Sequence, residues 1–555
     1  MSAADYNFDL GTWSRPITTA SHEAQLWFDR GLNWAYAYNH EEAVACFRRA
    51  LSADPDCAMA WWGVAYAGGP FYNRPWIRYS TAELAETVPL CFAAASNAVR
   101  LGSGSTPAER ALIEALALRY QTSAARDTDT LMDWHGAYTV AMREVHRAHP
   151  EDPDIAALFA EAAVTCTPRQ LWDLHTGAPK PGALTEEAVA VLEAAMATPS
   201  GTDHPGILHM WIHTLEMSPF PVRAMAAADK LCAKMPDAGH LEHMPAHIYV
   251  LCGDYQRSVT QSERAVEADD KYLAFAGSDN FYTTARCHDL HLYIYAAMFL
   301  GQRGQALHAA DRIRDFATPD LVAESPPFMA SILEGYSGMR THVLVRFGMW
   351  DDLIAERAPE PSGLYPVRTA MHHYGRGVAF AALGRLDEAE QAQSAFRVAR
   401  LDLPETAIFL SNTARDVLAV GDAMLAGEIA YRRGDDDAGF AALREAVRRD
   451  DNLNYTEPWA WMHPPRHALG ALLAEQGHHD EAITAFRQDL GLDGGLPRCC
   501  QHPGNVWALT GLVAAMRASG RTEGLGALEA QLTSARALTD TPIGTACFCA
   551  RSEGA

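Results

Sequence analysis

Between residues 24 and 56 the apolar and small side chains recur at helical spacing, Trp27 and Gly31 on one segment and Ala43, Phe47 and Ala50 on the next. Pro55 closes the second segment, because it has no N–H to donate and clashes with the preceding turn. Two amphipathic helices of this kind bury their stripes against each other. Another pair opens at Ala58 with AMAWWGVAYAGGP and stops at Gly68, Gly69 and Pro70. Residues 71–83 (FYNRPWIRYSTAE) break the period and predict a loop that exposes its aromatics or walls a pocket. Helical spacing resumes over 84–150, where Thr106 and Pro107 read as a cap and a first-turn proline, and again over 151–165. The stretch 167–188 is too rich in Pro and Gly for regular structure and predicts a long loop of the kind that often serves function. Further helices are predicted at 325–349, 368–400, 405–433, 437–449, 464–490 and 503–518, with turn glycines in GRLDEAE (384–390) and GHHDEAI (477–483). Strand-like alternation is almost absent, so the pattern predicts an all-α chain.

A longer period lies over this one. His209 and His243 are 34 residues apart, as are His213 and His247, and within each pair the spacing is i, i+4 on a single helix face. Thirty-four residues is the length of one tetratricopeptide helix pair. Ala246, Ser258 and Ala265 fall where such a pair needs small residues, with Tyr249 as its packing aromatic. His240 shares the same face, Glu216 follows His213 at i+3, and His288, His291 and Tyr295 repeat the pattern after an insertion near 276–280. His467 holds an equivalent place further on. The motifs HPxxxHxxxHxxE (204–216) and HxxHMPxH (240–247), together with the opening DLGTWSRP and the closing CFCAR, resemble a family of bacterial tetratricopeptide-repeat proteins along nearly the whole chain. The resemblance implies a tetratricopeptide-like α-solenoid of roughly a dozen helical hairpins with irregular insertions, in which these places line a concave ligand groove. It implies no particular activity.

The expected organisation is an N-terminal segment (1–23), N-terminal repeats (24–200) carrying the 167–188 loop, a His-rich centre (201–320) and C-terminal repeats (321–555) with a cysteine-containing tail. At 48 % hydrophobic and 21 % charged residues the chain has material for a continuous core. A formal charge of −24 repels phosphate backbones and anionic membranes, which argues against nucleic acid as a partner. No apolar window is long enough to span a bilayer and no signal region opens the chain, so the expectation is a cytoplasmic protein without membrane contact. Eleven scattered cysteines do not form the dense framework of a small secreted domain and predict mostly reduced, packed thiols.

Packed helices lie about 8–10 Å apart, so imidazoles at equivalent positions of two of them can converge on one ion. The expected metal ligands are His209, His213, His243 and His247, supplemented by His240, His288 and His291, with Glu216 as a further ligand or as catalytic acid/base. Tyr295 and His467 are candidates for a substrate pocket. Neutral imidazole suits transition metals, with Cu or Fe preferred here and Zn as an alternative. Cys499, Cys500, His502, Cys547 and Cys549 form a second constellation, able to hold a metal, form a disulfide or simply pack. The functional expectation is a metal-dependent enzyme acting on a small molecule, with oxidase or oxygenase chemistry ahead of hydrolysis. The alternative is a metal-free scaffold that binds a protein or peptide partner in its groove. The enzyme reading needs the 71–83 and 167–188 loops to close that groove.

Overall fold

The computed structural model describes residues 5–550. The chain forms two compact units, one comprising Met1–Ile248 with Glu263–Arg286, the other Tyr249–Ser262 with Cys287–Ala555. The expected His-rich centre is thus divided between the two, and the division falls inside the helices Gly239–Leu251, Tyr255–Ala276 and Tyr282–Leu300.

In the first unit the opening hairpin pairs His22–Tyr36 with His40–Ala53, and Ala58–Gly68 stacks on it. Ser21 and Asn39 cap the first two helices by accepting from the backbone N–H groups of Ala24 and Glu42. Phe47 fixes the spacing of the layer. A Cβ on Gly31 or Gly63 would lie 2.7 or 2.5 Å from its ring, so only glycine lets the three helices approach this closely. Thr106 and Glu109 form the capping box of Pro107–Ala117. The segment before the first helix is a strap. Arg15 grips Asp152 and Asp154 at 2.8 and 2.9 Å, and Thr18 donates through its N–H and its hydroxyl to Glu109, both at 2.6 Å.

The two irregular loops belong to this unit. Phe71, Tyr72 and Trp76 are buried rather than exposed, since the loop between Gly69 and Thr81 turns inward through a short 3-10 turn at Trp76–Arg78. The later loop gives way to the helix Thr185–Met196, and its Trp172 donates to the Thr214 carbonyl at 2.8 Å.

The second unit continues in helix pairs, including Pro366–Ala382 with Leu386–Asp402 and Pro465–Glu475 with His479–Asp489. Gly384 and Gly477 sit at φ +73° and +79°, the left-handed turn that ends the first helix of each pair. The helix expected from 405 begins only at Ala414. Ahead of it Ile408–Phe409 and Asn412–Thr413 make a two-residue antiparallel ladder, pinned by Asn412, which donates to the Asn454 carbonyl and accepts from the Asn454 N–H. Among the described residues no helix is long and apolar enough to cross a membrane.

Candidate metal centre

The helix Pro205–Leu215 is buried on every face. Its N-cap is His204, whose Nδ1 accepts from the Ile207 N–H while Nε2–H donates to Asp154 at 3.0 Å. Asp154 also takes the Tyr36 hydroxyl at 2.5 Å and the Trp13 indole N–H at 3.0 Å. Burial alone would raise its pKa, but the imidazole of His204 and the guanidinium of Arg15 outweigh that and hold the carboxyl well below the usual range. One end of the histidine helix is thereby locked to the strap and to the first hairpin. At the other end Glu216 takes the C-cap position.

His209, His213, His240, His243 and His247 are all between 0 and 2 % exposed, and Glu216 is fully buried. The groove expected to carry them is sealed in this unit by aromatic rings. Tyr38 lies 4.4 Å from the His209 ring and stacks on His213 and His240 at 5.8 and 5.5 Å, while Tyr72 lies 4.9 Å from His213.

Three donor nitrogens, one each from His209, His213 and His240, lie within 4.8 Å of one another. A tetrahedral ion with bonds of about 2.0–2.1 Å keeps its donors about 3.3 Å apart, so the three nitrogens would draw closer together on binding one. The outer nitrogens of two ligands are already committed. His209 Nδ1–H donates to the Tyr36 carbonyl at 2.7 Å and His213 Nδ1–H to Glu216 at 2.9 Å. Such contacts fix the tautomer and turn Nε2 inward. His209 Nε2 is buried and finds no hydrogen-bond partner among the described residues. Burial first, then the neighbouring His213 and His240, drive the His209 pKa well below 6.5, which leaves the neutral form that binds metal. These residues could hold a metal ion.

His243 and His247 form an adjoining pair with Nε2 atoms 2.6 Å apart, and His247 Nδ1 lies 2.7 Å from the second oxygen of Glu216. Glu216 therefore sits between His213 and His247, with one oxygen toward each.

The remaining expected residues lie in the second unit. His288 Nε2 is 3.9 Å from Glu457, and His291 packs on Tyr336 at 4.6 Å. His467 Nε2–H and His502 Nδ1–H both donate to Asp489 at 2.8 Å, and His502 Nε2 accepts from the Tyr295 hydroxyl at 2.9 Å. His502 is thus engaged away from the cysteines it was grouped with. Cys547 and Cys549 are joined in a disulfide, which removes both from thiolate ligation, and the Cys499 and Cys500 sulfurs lie 3.9 Å apart.

Tyr72 belongs to the 71–83 loop whose aromatics the sequence predicts to be exposed or to wall a pocket, whereas Tyr36 and Tyr38 carry no motif. The aromatic run NWAYAYNH (33–40) was the available signal, but nothing local states that Tyr38 adopts φ +56°, a left-handed conformation rare for an aromatic residue, in the turn between the first two helices. Tyr38 also walls a pocket of about 510 Å³ that opens to solvent, along with His40, Phe71, Arg74 and Phe281.

No curated protein matches the chain in sequence. Among solved structures it is similar to the human IFIT1 dimer with m7Gppp-AAAA, at 11 % identity over 95 % of this chain and 92 % of that one, with a TM-score of 0.33. It is also similar to the APC/C hetero-tetramer Cut9–Hcn1, at 12 % identity over 94 % and 95 %, TM-score 0.27. A further likeness is to Naa15/Naa10 bound to HypK-THB, at 12 % over 92 % and 70 %, TM-score 0.21. Residues 39–57, the second helix of the opening hairpin and the turn after it, match the tetratricopeptide repeat. With that repeat and antiparallel helix pairs in both units, the fold is of the tetratricopeptide helical-repeat type.

Proposed function

We propose that the first unit holds a transition-metal ion on His209, His213 and His240, and that the protein uses it to act on a small molecule. The observation that carries this reading is the meeting of three buried imidazole donors, together with a His209 Nε2 that has no hydrogen-bond partner among the described residues. Three neutral imidazoles suit Cu, Fe or Zn and leave coordination positions for a substrate.

Glu216 is best assigned as a positioning residue. Its two oxygens face the ligand His213 and the neighbouring His247 at 2.9 and 2.7 Å, so it orients His213 rather than activating water. With the carboxylate so engaged, hydrolysis lacks its most obvious base, and oxidation at Cu or Fe becomes the preferred chemistry. The Tyr38 hydroxyl donates to Met210 Sδ at 3.2 Å, and burial keeps the phenol protonated by raising its pKa well above 10. Because Tyr38 contacts all three imidazoles and also walls the open pocket, its ring is the natural gate for a substrate entering from that side.

Elemental analysis of protein purified without chelator tests the proposal. The expected result is one equivalent of Cu, Fe or Zn, absent from His213→Ala and bound 10- to 100-fold more weakly by Glu216→Gln, in line with loss of an orienting contact. Native protein that contains none of these metals and binds none on titration would sink the reading.

A further inference from the structure

The second unit contains a small cavity of about 30 Å³ remote in sequence from the histidine motifs, and it holds a buried charge of an unusual kind. Arg346, at the end of the helix Met339–Arg346, is 6 % exposed and lines this cavity. Its guanidinium rests on the Trp507 ring at 3.9 Å and donates one hydrogen bond, to His467 Nδ1 at 2.7 Å. Among the described residues no carboxylate lies within 4 Å of it. Asp489 is reached only through the His467 ring, and Asp489 is already satisfied by His467, His502 and the Asn505 amide at 2.8, 2.8 and 2.9 Å. Glu428, the acidic residue in the cavity wall, is paired with Arg432 at 2.8 Å. Burial pulls the Arg346 pKa down to about 9, the direction expected of a cation stripped of water, against the weaker opposing pull of Asp489.

A buried guanidinium with no carboxylate beside it among the described residues is costly, and an anionic ligand would complete the pair. Arginine's planar fork matches a carboxylate in two parallel hydrogen bonds. The rest of the wall is largely apolar, with Trp350, Val378 and Met424 facing the same space. His463 adds a polar edge, its two nitrogens facing His342 at 3.1 Å and the Tyr374 hydroxyl at 3.4 Å. The tail closes one side through Cys547 and Cys549, held there by Arg432, which donates to the Cys549 carbonyl at 2.5 Å. The space is narrow, so its occupant is short.

We infer that this cavity binds a small aliphatic monocarboxylate, with its carboxylate on Arg346 and its hydrocarbon end against Trp350, Val378 and Met424. The inference is independent of the metal centre, which lies in the other unit and shares none of these residues.

Titration of the full-length protein with sodium butyrate, followed by calorimetry and thermal shift, tests it against butyramide and inorganic phosphate at matched ionic strength. Butyrate is expected to bind saturably and raise the melting temperature, butyramide to do neither, and phosphate to bind at least tenfold more weakly. Arg346→Gln should weaken butyrate at least tenfold without lowering the ligand-free melting temperature, since it removes an uncompensated charge. Val378→Phe, which fills the apolar end and leaves the charge in place, should also abolish binding if Arg346→Gln fails to fold. The proposal is overturned if butyrate binds no better than butyramide or phosphate, or if Val378→Phe or a folded Arg346→Gln binds it like the natural protein.

Discussion

Replacing His209 with Asn separates metal binding from folding at a single atom. An asparagine amide can place an N–H near the position of Nδ1 and keep the 2.7 Å bond to the Tyr36 carbonyl, but it has nothing at Nε2. In the metal-free protein two effects oppose. Losing a buried nitrogen that has no partner among the described residues relieves about 1–3 kcal/mol, a gain that the newly buried amide oxygen largely cancels, while the void left by a smaller side chain costs about 1–2 kcal/mol. The net change stays within about 2 kcal/mol, a shift of less than about 6 °C in melting temperature. Metal binding should respond far more. Changing an outer contact alone weakens a site by 10- to 100-fold, so losing one of three ligands should cost at least about 100-fold, or about 2.7 kcal/mol. At a metal concentration 100 times the natural Kd, the ion stabilises the natural protein by about 2.7 kcal/mol and the variant by about 0.4 kcal/mol. Scanning calorimetry with metal and with chelator reads both quantities, and competition titration gives the affinities. Equal metal-induced stabilisation in the two proteins would refute the ligand assignment, and unfolding of the metal-free variant would show that the imidazole is a structural group.

Two further outcomes follow from the packing. Burial lowers the pKa of His40, His135, His291 and His342 to about 3, while each titrates near 6.5 once unfolded. Below pH 6.5 the unfolded chain therefore binds more protons, and stability present above 6.5 is lost as the pH falls toward 3, by up to about 1.4 kcal/mol per pH unit for each histidine; a urea midpoint unchanged between pH 7 and pH 5 would contradict this. Gly63→Ala, whose Cβ would lie 2.5 Å from the Phe47 ring, should destabilise the first unit by about 1–3 kcal/mol with metal affinity unchanged, as read by denaturant midpoint and metal titration.

Much of the fold was legible because helix pairing is written in near-neighbour terms. Trp27, Gly31, Ala43 and Phe47 recur at helical spacing, Thr106 and Pro107 mark a helix start, and Gly384 and Gly477 mark turns, since each of these signals needs only a few adjacent residues. The i, i+4 spacing of His209 with His213 and of His243 with His247 is local in the same sense. The hairpin before Ala414 has no local sequence signal because its hold is Asn454, forty-two residues away from Asn412.

What decides between a ligand and a packed histidine is not local. The carbonyl that sets the His209 tautomer belongs to Tyr36, 173 residues earlier, and the ring that seals the cluster belongs to Tyr38 in a strained turn. Seven histidines that share one sequence pattern divide between two units, and His502, grouped with cysteines by proximity in the chain, is instead claimed by Tyr295 and Asp489. Arg346 carried no motif at all. Its burial, with no carboxylate within 4 Å among the described residues, arises only when the helix Met339–Arg346 meets Trp507 and His467, because burial and pairing are properties of the packed three-dimensional neighbourhood, while periodicity is a property of the chain.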